Sequence, residues 1–397
     1  MSLLSLAVAA ALLLGSVVQE VTAAPNLPLS GVQTMFAFGD SYSQNGYDPA
    51  SGYKPQEQKR STSAGGLSWP DYLAQLDEAP ATLRDRVFDF GKGGATIGGD
   101  RELVGYPNVS FADEIDKFEA WFVKASTEGE NARPTWDGES ALFTVWFGIN
   151  DIEITWKRGE EFPPLLESTF DQLSTGMERL YALGARHFLM PLLPPYHRSP
   201  LLLRVFSAVP GANDTFYDNF VAWNDRMKRF VGDFAESKPE ASVAMWDTWT
   251  EFDKILDAPG DFGFANSTNW CDSYSKYLWA VDLPEMSDIQ NCGYSMDEYF
   301  WFDTSHPTTR VHSLIAKAFA SLSDSSTASP SDLSRREMRL PAHHLPASSF
   351  AHHGTSPGRF QRLVRTSQLA RREREQFWKE LRGTALGSVV AGAKVGQ

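Results

Sequence analysis

The chain has 397 residues, of which 42% are hydrophobic and 22% are charged. This length and composition are typical of one large or two ordinary folded domains. The formal net charge is −14, which argues against nucleic acid or an anionic membrane surface as a general partner.

The N-terminal segment has the pattern of a secretory signal peptide. Leu3–Val18 is almost wholly apolar and is followed by a polar Gln19-Glu20 pair. Val21–Ala23 then supplies the small residues that a signal peptidase reads, so the sequence predicts a signal peptide over residues 1–23 and a secreted protein. A membrane anchor is the alternative, but the apolar run is short for a span and no basic flank holds it. No later segment is long and apolar enough to cross a bilayer.

Two other features agree with export. The chain contains three Asn-x-Ser/Thr acceptor sequences for N-glycosylation, at Asn108, Asn213 and Asn266. Its two cysteines, Cys271 and Cys292, are close in sequence. In an oxidising compartment they would form a disulfide, and two free buried thiols are the alternative. Given the signal pattern, we predict the disulfide.

Residues 24–322 have the pattern of one domain, in which apolar runs bounded by turn residues alternate with helical patterns. Such alternation predicts an α/β fold with a parallel sheet and crossover helices. The predicted strands are Met35–Phe38, Val87–Phe90, Ala141–Phe147, His187–Leu193 and Ser242–Trp246. Apolar residues recur at helical spacing in Phe170–Leu183, Phe216–Phe234 and Val311–Leu322. Such a sheet places its functional loops at the carboxyl ends of its strands.

The chain changes character at residue 323. Residues 323–397 carry 12 Lys and Arg against 6 Asp and Glu, a net charge of +6. The preceding residues carry 24 basic and 44 acidic residues, a net charge of −20. We expect the basic tail to be disordered, because it has no sustained apolar pattern. An amphipathic helix over Arg359–Arg382 that docks on the acidic domain or an anionic polymer is the alternative.

Two predicted strands run directly into turns that could carry chemistry. The first is followed by Gly39-Asp40-Ser41, which places a serine hydroxyl at the rim of the sheet. The second leads into Gly93-Gly94, where the absence of a side chain lets a backbone N–H approach a ligand. Taken singly, each has an ordinary explanation, since Asp and Ser cap helices and a glycine pair forms tight turns.

Two further segments supply an amide and an acid–base pair. Gly148–Asp151 follows the third predicted strand, and its Asn150 could aim a side-chain N–H at a developing negative charge. Asp303-Thr304-Ser305-His306 leads into the last predicted helix. At this spacing the carboxylate of Asp303 can meet one nitrogen of His306 while the other nitrogen faces outward, as in an orienting acid and a general base. Turn formation and capping also explain each segment when it is taken singly.

Together, the four segments resemble the consensus blocks of the GDSL, or SGNH, hydrolase superfamily. These blocks are Gly-Asp-Ser, a block-two glycine, Gly-x-Asn-Asp and Asp-x-x-His, and they occur here in the family's order between Gly39 and His306. The surrounding Phe36–Tyr42, Trp146–Ile152 and Pro194–Pro200 are similar to the fungal-type branch that includes the family 16 carbohydrate acetylesterases. The resemblance implies a flavodoxin-like, three-layer α/β sandwich with a central parallel sheet.

The resemblance also implies roles for the matching residues. The nucleophile, base and orienting acid of the triad would be Ser41, His306 and Asp303. The oxyanion hole would consist of two backbone N–H groups and one side-chain amide, those of Ser41, Gly94 and Asn150. Gly93 is the alternative to Gly94 as donor, while Asp40 and Asp151 are expected to be structural supports. Three aromatic residues next to the motifs are candidates for lining the substrate pocket: Tyr42, Trp69 and Trp301.

We therefore predict a secreted, monomeric serine esterase that removes short acyl groups, foremost acetyl, from plant cell-wall carbohydrates or small esters without a cofactor or metal. A lipase or phospholipase is the runner-up, and a catalytically inactive carbohydrate-binding protein, suggested by 12 Trp, is the third interpretation. An α/β-hydrolase is disfavoured because Gly66–Pro70 lacks the second glycine of Gly-x-Ser-x-Gly. A metal-dependent deacetylase is disfavoured because no His-Glu-x-x-His or comparable motif occurs.

Overall fold

The computed structural model describes residues 28–99, 108–129, 131–285 and 289–325. The predicted signal peptide, residues 1–23, lies outside the described residues, and so do residues 326–397 of the predicted tail. No helix in the described ranges is long and apolar enough to cross a membrane.

Within the described chain, five parallel strands form one sheet in the order β2-β1-β3-β4-β5. The strands are β1 (Thr34–Gly39), β2 (Val87–Asp89), β3 (Ala141–Trp146), β4 (His187–Pro191) and β5 (Ser242–Trp246). All of them lie where the sequence predicts, with small shifts at their ends. The residues of β1 and β3 are buried on both faces, and strands covered on both faces are continuous apolar runs in the sequence.

Three of the described α-helices were predicted from apolar spacing and begin before their patterns do, and five others were not predicted. The α-helices of the described chain are α1 (Trp69–Leu73), α2 (Phe111–Phe118), α3 (Ile149–Lys157), α4 (Leu166–Ala182), α5 (Ala212–Ser237), α6 (Thr248–Asp257), α7 (Asp272–Ser275) and α8 (Thr309–Ser325). The first turns of α4 and α5 are largely polar, so an apolar period does not register them.

Aromatic side chains cover both faces of the sheet. On one face, Phe36 of β1 and Phe143 of β3 pack against Phe118 of α2, with ring centroids 4.9 and 5.6 Å from it. Trp146 lies on the opposite face, because successive side chains alternate along a strand. There it packs edge-on against Trp69 of α1 at 6.1 Å. Helices therefore lie on both faces, and the fold is a three-layer α/β sandwich.

Gly148 makes the turn from β3 into α3 possible. Its φ is +131°, and a Cβ at this position would lie 2.5 Å from the indole of Trp223. We expect Gly148→Ala to lower the free energy of unfolding by at least about 2 kcal/mol, through backbone strain and steric overlap together. Urea or thermal unfolding measures the change.

A glycine in an open position provides the control for that variant. Nothing lies within 4 Å of a Cβ added to Gly232 of α5, and a helical Gly→Ala change is favourable by about 1 kcal/mol. Gly232→Ala should therefore leave stability unchanged or raise it. If both variants had the wild-type unfolding midpoint, the turn would not depend on Gly148.

A disulfide joins Cys271 and Cys292, as the sequence predicts, with their Cα atoms 5.7 Å apart. It closes a loop that contains α7, and Tyr274 of α7 packs on Tyr299 with ring centroids 6.1 Å apart. A cross-link at a sequence separation of 21 contributes about 3 kcal/mol through loop entropy. We call residues 271–292 the disulfide loop.

Candidate active site

Three of the predicted site residues follow adjacent strands at one edge of the sheet. Ser41 comes after β1, Gly94 after β2 and Asn150 in the first turn of α3, which follows β3, and these strands are neighbours. The amide of Asn150 reaches across to the second turn, donating from Nδ2 to the C=O of Ala95 at 3.0 Å. The carboxyl ends of three strands thus bring these groups to one place.

Asp40 shapes the turn that carries Ser41. Its carboxylate accepts a hydrogen bond from the N–H of Tyr42 at 2.9 Å, and its C=O accepts from the N–H groups of Ser43 and Gln44, each at 3.0 Å. Ser41 is 6% exposed, and its Oγ has no hydrogen-bond partner among the residues that the structure describes. The serine hydroxyl is therefore presented at the rim by a turn that other groups hold.

Asp303 and His306 form a hydrogen-bonded pair on the loop before α8. Nδ1 of His306 lies 2.7 Å from Oδ2 of Asp303. The other carboxylate oxygen accepts the N–H groups of Ser305 and His306, both at 2.7 Å. This arrangement fixes the ring and directs Nε2 away from the carboxylate, where it can take a proton.

Tyr42 joins the serine turn to the Asp303–His306 loop. Its hydroxyl donates to the C=O of Ser305 at 2.7 Å, and its ring centroid lies 6.0 Å from that of His306. Tyr42 follows Ser41 and Ser305 precedes His306, so this bond holds the serine and the imidazole on the same side of the sheet despite their distance in sequence.

Glu114 and Gln44 also support these turns, and the sequence reasoning missed both. Glu114 of α2 is fully buried, and its Oε2 accepts the N–H of Gly39 at 2.9 Å. Gln44 accepts the N–H of Gly93 at 2.5 Å through Oε1 and donates from Nε2 to the C=O of Ser61 at 3.0 Å. No local pattern marks such residues, because their partners are set by tertiary contacts.

The contact with Gln44 distinguishes the two glycines of the second turn. The N–H of Gly93 is engaged by Gln44, whereas the N–H groups of Gly94 and Ser41 have no acceptor within the described ranges. Gly94 has a φ of +83°, which a glycine adopts without strain. An amide carries two N–H donors, so the bond from Asn150 to Ala95 leaves one free. Within the described ranges, each of the three predicted oxyanion donors therefore keeps a free N–H.

Comparison with known proteins agrees with this geometry. The family model described as GDSL-like lipase/acylhydrolase matches residues 35–319. The chain belongs to this family. An acetylesterase of Thermothelomyces thermophilus is 27% identical over 296 residues, 72% of this chain and 86% of the relative. An acetylesterase of Hypocrea jecorina is 23% identical over 337 residues, 74% of this chain and 89% of the relative.

A bacterial protein is also similar to this chain. The thermolabile hemolysin of Vibrio parahaemolyticus is 22% identical over 256 residues, 64% of this chain and 54% of the relative. The family and the two acetylesterases identify the chain as a carboxylic ester hydrolase whose substrates are small-molecule esters. The predicted family, fungal-type branch and SGNH fold are thereby confirmed.

The charge of Asp303 stabilises the protonated form of His306. Burial disfavours the imidazolium, but the charge and hydrogen bond of Asp303 outweigh it, so the pKa of His306 is raised above 6.5. Burial opposes ionisation of Asp303 as well, yet the attraction of His306 lowers the pKa of that carboxyl below 3.8. Asp40 differs, because burial raises the pKa of its carboxyl to about 7.

The raised pKa of His306 predicts the pH dependence of the esterase. A general base must be unprotonated, so kcat/KM should fall as pH decreases through the pKa of His306, with the acidic limb centred above pH 6.5. A pH profile of kcat/KM on an acetate ester measures it. The pKa of Asp40 is raised to about 7, and the charge of Asp40 also raises the pKa of His306. Asp40→Asn should therefore keep the acidic limb but move it to lower pH. Loss of the acidic limb in this variant would contradict the prediction.

The three aromatic side chains predicted to line the substrate pocket are buried. Tyr42 and Trp301 are 1% exposed and Trp69 is 0% exposed, so none of them has a surface to offer a ligand. Trp69 is packed in the core on Trp146, and Nε1 of Trp301 donates to the C=O of Ser267 at 2.9 Å. Nearness to a motif in sequence does not place a side chain in the cleft, because tertiary packing decides which way the side chain faces.

The three acceptor asparagines lie at or near the surface. Asn108 is exposed before α2, whereas Asn213 in the first turn of α5 and Asn266 are half-buried. Nδ2 of Asn213 donates to the C=O of His197 at 3.0 Å. Among the described residues, no cluster of three or more His, Cys, Asp or Glu side chains could hold a metal ion.

Proposed function

We propose that this esterase is a secreted acetylesterase that removes acetyl groups from plant cell-wall carbohydrates. The observation that carries the proposal is the bonded Asp303–His306 pair, 2.7 Å between Oδ2 and Nδ1, tied through Tyr42 to the turn of Ser41. Two relatives are named acetylesterases, which supports acetyl as the acyl group that is removed. The signal pattern of residues 1–23 and the disulfide support secretion.

In the proposed first step, Oγ of Ser41 attacks the carbonyl carbon of the ester while Nε2 of His306 takes its proton. The carbonyl oxygen becomes an oxyanion, which the donors of the predicted oxyanion hole stabilise: the N–H groups of Ser41 and Gly94 and Nδ2 of Asn150. Asp303 stabilises the imidazolium. The bond from carbon to the alcohol oxygen then breaks, and that oxygen receives the proton from Nε2.

The second step regenerates the serine. A water molecule gives a proton to Nε2 of His306 and attacks the carbonyl carbon of the acetyl-serine. The same donors stabilise the second oxyanion, the bond to Oγ of Ser41 breaks, and Oγ takes the proton from Nε2. Acetic acid leaves and ionises to acetate in water, and no cofactor enters the balance.

The proposal assigns catalysis to residues 24–322 and treats the basic tail, residues 323–397, as an appendage. The family match, which ends at residue 319, supports this division. Export would also expose three acceptor asparagines to N-glycosylation: Asn108, Asn213 and Asn266.

Comparison of acyl chains on one alcohol tests the proposed substrate. We expect the purified enzyme to release acetate from acetylated xylo-oligosaccharides. Among the acetate, butyrate and dodecanoate esters of p-nitrophenol, it should hydrolyse the acetate with the highest kcat/KM. A preference for dodecanoate would overturn the acetylesterase in favour of a lipase. Binding of the oligosaccharides without hydrolysis of any ester would favour a carbohydrate-binding protein instead.

A further inference from the structure

Trp279 of the disulfide loop lies beside the candidate active site, although no motif contains it. Its ring centroid is 6.0 Å from that of His306, with the two rings at 74°. On its other side, a Cβ added to Gly93 would lie 2.7 Å from both Cζ2 and Cη2 of Trp279. The indole is half-exposed. The indole therefore lies against the Gly93-Gly94 turn and beside the imidazole of His306.

The backbone of Trp279 is held in a strained conformation. Its φ is +63°, and Asn291 near the end of the same loop, with φ +71°, is the other non-glycine residue of positive φ in the described chain. The N–H of Trp279 donates to the C=O of Thr62 at 3.2 Å, and its C=O accepts from Oγ of Ser61 at 3.0 Å. Such strain persists only where the surroundings over-determine it, and here the disulfide and these two bonds do so.

One chain of hydrogen bonds connects Trp279 to the Gly93-Gly94 turn. Gln44 accepts the N–H of Gly93 and donates to the C=O of Ser61, whose hydroxyl holds Trp279. The indole and the glycine turn are thus fixed to one another by the same residue of the serine turn. An indole whose position is fixed by hydrogen bonds in this way is suited to positioning a ligand.

The position of the indole indicates which part of an ester it borders. This step rests on the proposed function. The alcohol oxygen must lie within hydrogen-bond distance of Nε2 of His306 to receive its proton, so the alcohol portion leaves the site past the residues that flank the imidazole. Trp279 is such a residue, and its flat apolar surface matches the apolar face of a sugar ring.

We propose that Trp279 is a specificity-determining residue that stacks on the ring of the departing alcohol, and that the disulfide loop holds it in place. The indole selects ring-shaped alcohols over short aliphatic ones and leaves the choice of acyl group to other residues. The disulfide between Cys271 and Cys292 then serves selectivity as well as stability.

Two acetate esters with different alcohols test the proposal. For Trp279→Ala, kcat/KM on an acetylated methyl xyloside should fall about ten-fold through a higher KM, the size of one aromatic contact. On ethyl acetate, kcat/KM should stay nearly unchanged. Trp279→Phe keeps a flat ring and should retain most of the selectivity. Trp279→Leu keeps apolar bulk without a flat face, so it should lose selectivity as Trp279→Ala does. If Trp279→Ala does not fold, Trp279→Leu serves as the test variant.

Two further variants complete the test. Trp270→Ala is the matched control, because this indole donates to Asp272 at 2.7 Å outside the site, and its selectivity should equal that of wild type. The double variant Cys271→Ser/Cys292→Ser should lose selectivity as Trp279→Ala does while still hydrolysing ethyl acetate. Retained selectivity in the double variant would overturn the role of the disulfide.

The outcomes separate this inference from the proposed function. Equal losses on both alcohols, or a shift in preference between acetate and butyrate esters of one alcohol, would overturn the assignment of Trp279 to the alcohol. In either case, hydrolysis would still depend on Ser41. Loss of that dependence would instead overturn the proposed function itself.

Discussion

Replacing Ser41 by alanine should reduce kcat by about 10⁶-fold, the effect of removing the nucleophile from other serine hydrolases. The substitution removes the atom that forms the acyl-enzyme, and no other group can replace it. The fold should be unaffected, because Oγ of Ser41 bonds to no described residue and Asp40 holds the turn through Tyr42. Kinetics on an acetate ester and thermal unfolding of the same preparation measure both expectations.

Ser43→Ala is the matched control for the nucleophile. Ser43 lies in the same turn, and its Oγ accepts a hydrogen bond from Nε1 of Trp69 at 3.4 Å, within the core. Loss of this weak bond should change kcat by less than about ten-fold. If Ser43→Ala were as inactive as Ser41→Ala, damage to the turn would explain the loss of activity, and the assignment of the nucleophile would lose its support.

Replacing Asn150 by alanine should lower kcat by about 10²–10³-fold with little change in KM, because its free N–H stabilises the oxyanion more than the ground-state carbonyl. The side chain also bonds to the C=O of Ala95, so thermal unfolding must accompany the kinetics. A higher KM with an unchanged kcat would mean that Asn150 binds substrate in its ground state and is not an oxyanion donor.

Asn150→Asp tests whether activity depends on the N–H donor of this side chain or only on its shape. The aspartate is nearly isosteric but offers a negative charge where the oxyanion develops, so it should be at least as slow as the alanine variant. Activity close to wild type in Asn150→Asp would contradict an oxyanion hole at this position.

The five strands could be predicted from the sequence because they are buried apolar runs, and α4, α5 and α8 because each carries one apolar face. The other described α-helices were missed, because at 4–10 residues they are too short to show a helical period. Phe36–Phe38 and Phe143–Val145 are apolar whichever face they cover, so the sequence shows them as strands. The polar first turns of α4 and α5 have no such signature, and their starts were missed. The disulfide followed from two cysteines close together in a chain with a signal pattern.

The site residues that lie in short sequence motifs could be predicted, whereas those brought to the site by tertiary contacts could not. Ser41, Asn150 and the Asp303–His306 pair follow strands or precede a helix, so their motifs carry their positions. The distinction between Gly93 and Gly94 needed the tertiary contact of Gln44. Trp279 could not be found, because a loop residue of positive φ is brought to the site only by the disulfide and by Ser61 and Thr62.

Covalent labelling by an organophosphonate tests the central claim most directly. The reagent reacts with a serine only when a base removes its proton and an oxyanion hole stabilises the product. We predict one adduct per wild-type chain by intact mass, mapped by peptide sequencing to Ser41 and absent from Ser41→Ala. No adduct under conditions where the enzyme hydrolyses acetate esters, or an adduct on another residue that abolishes hydrolysis, would contradict the account.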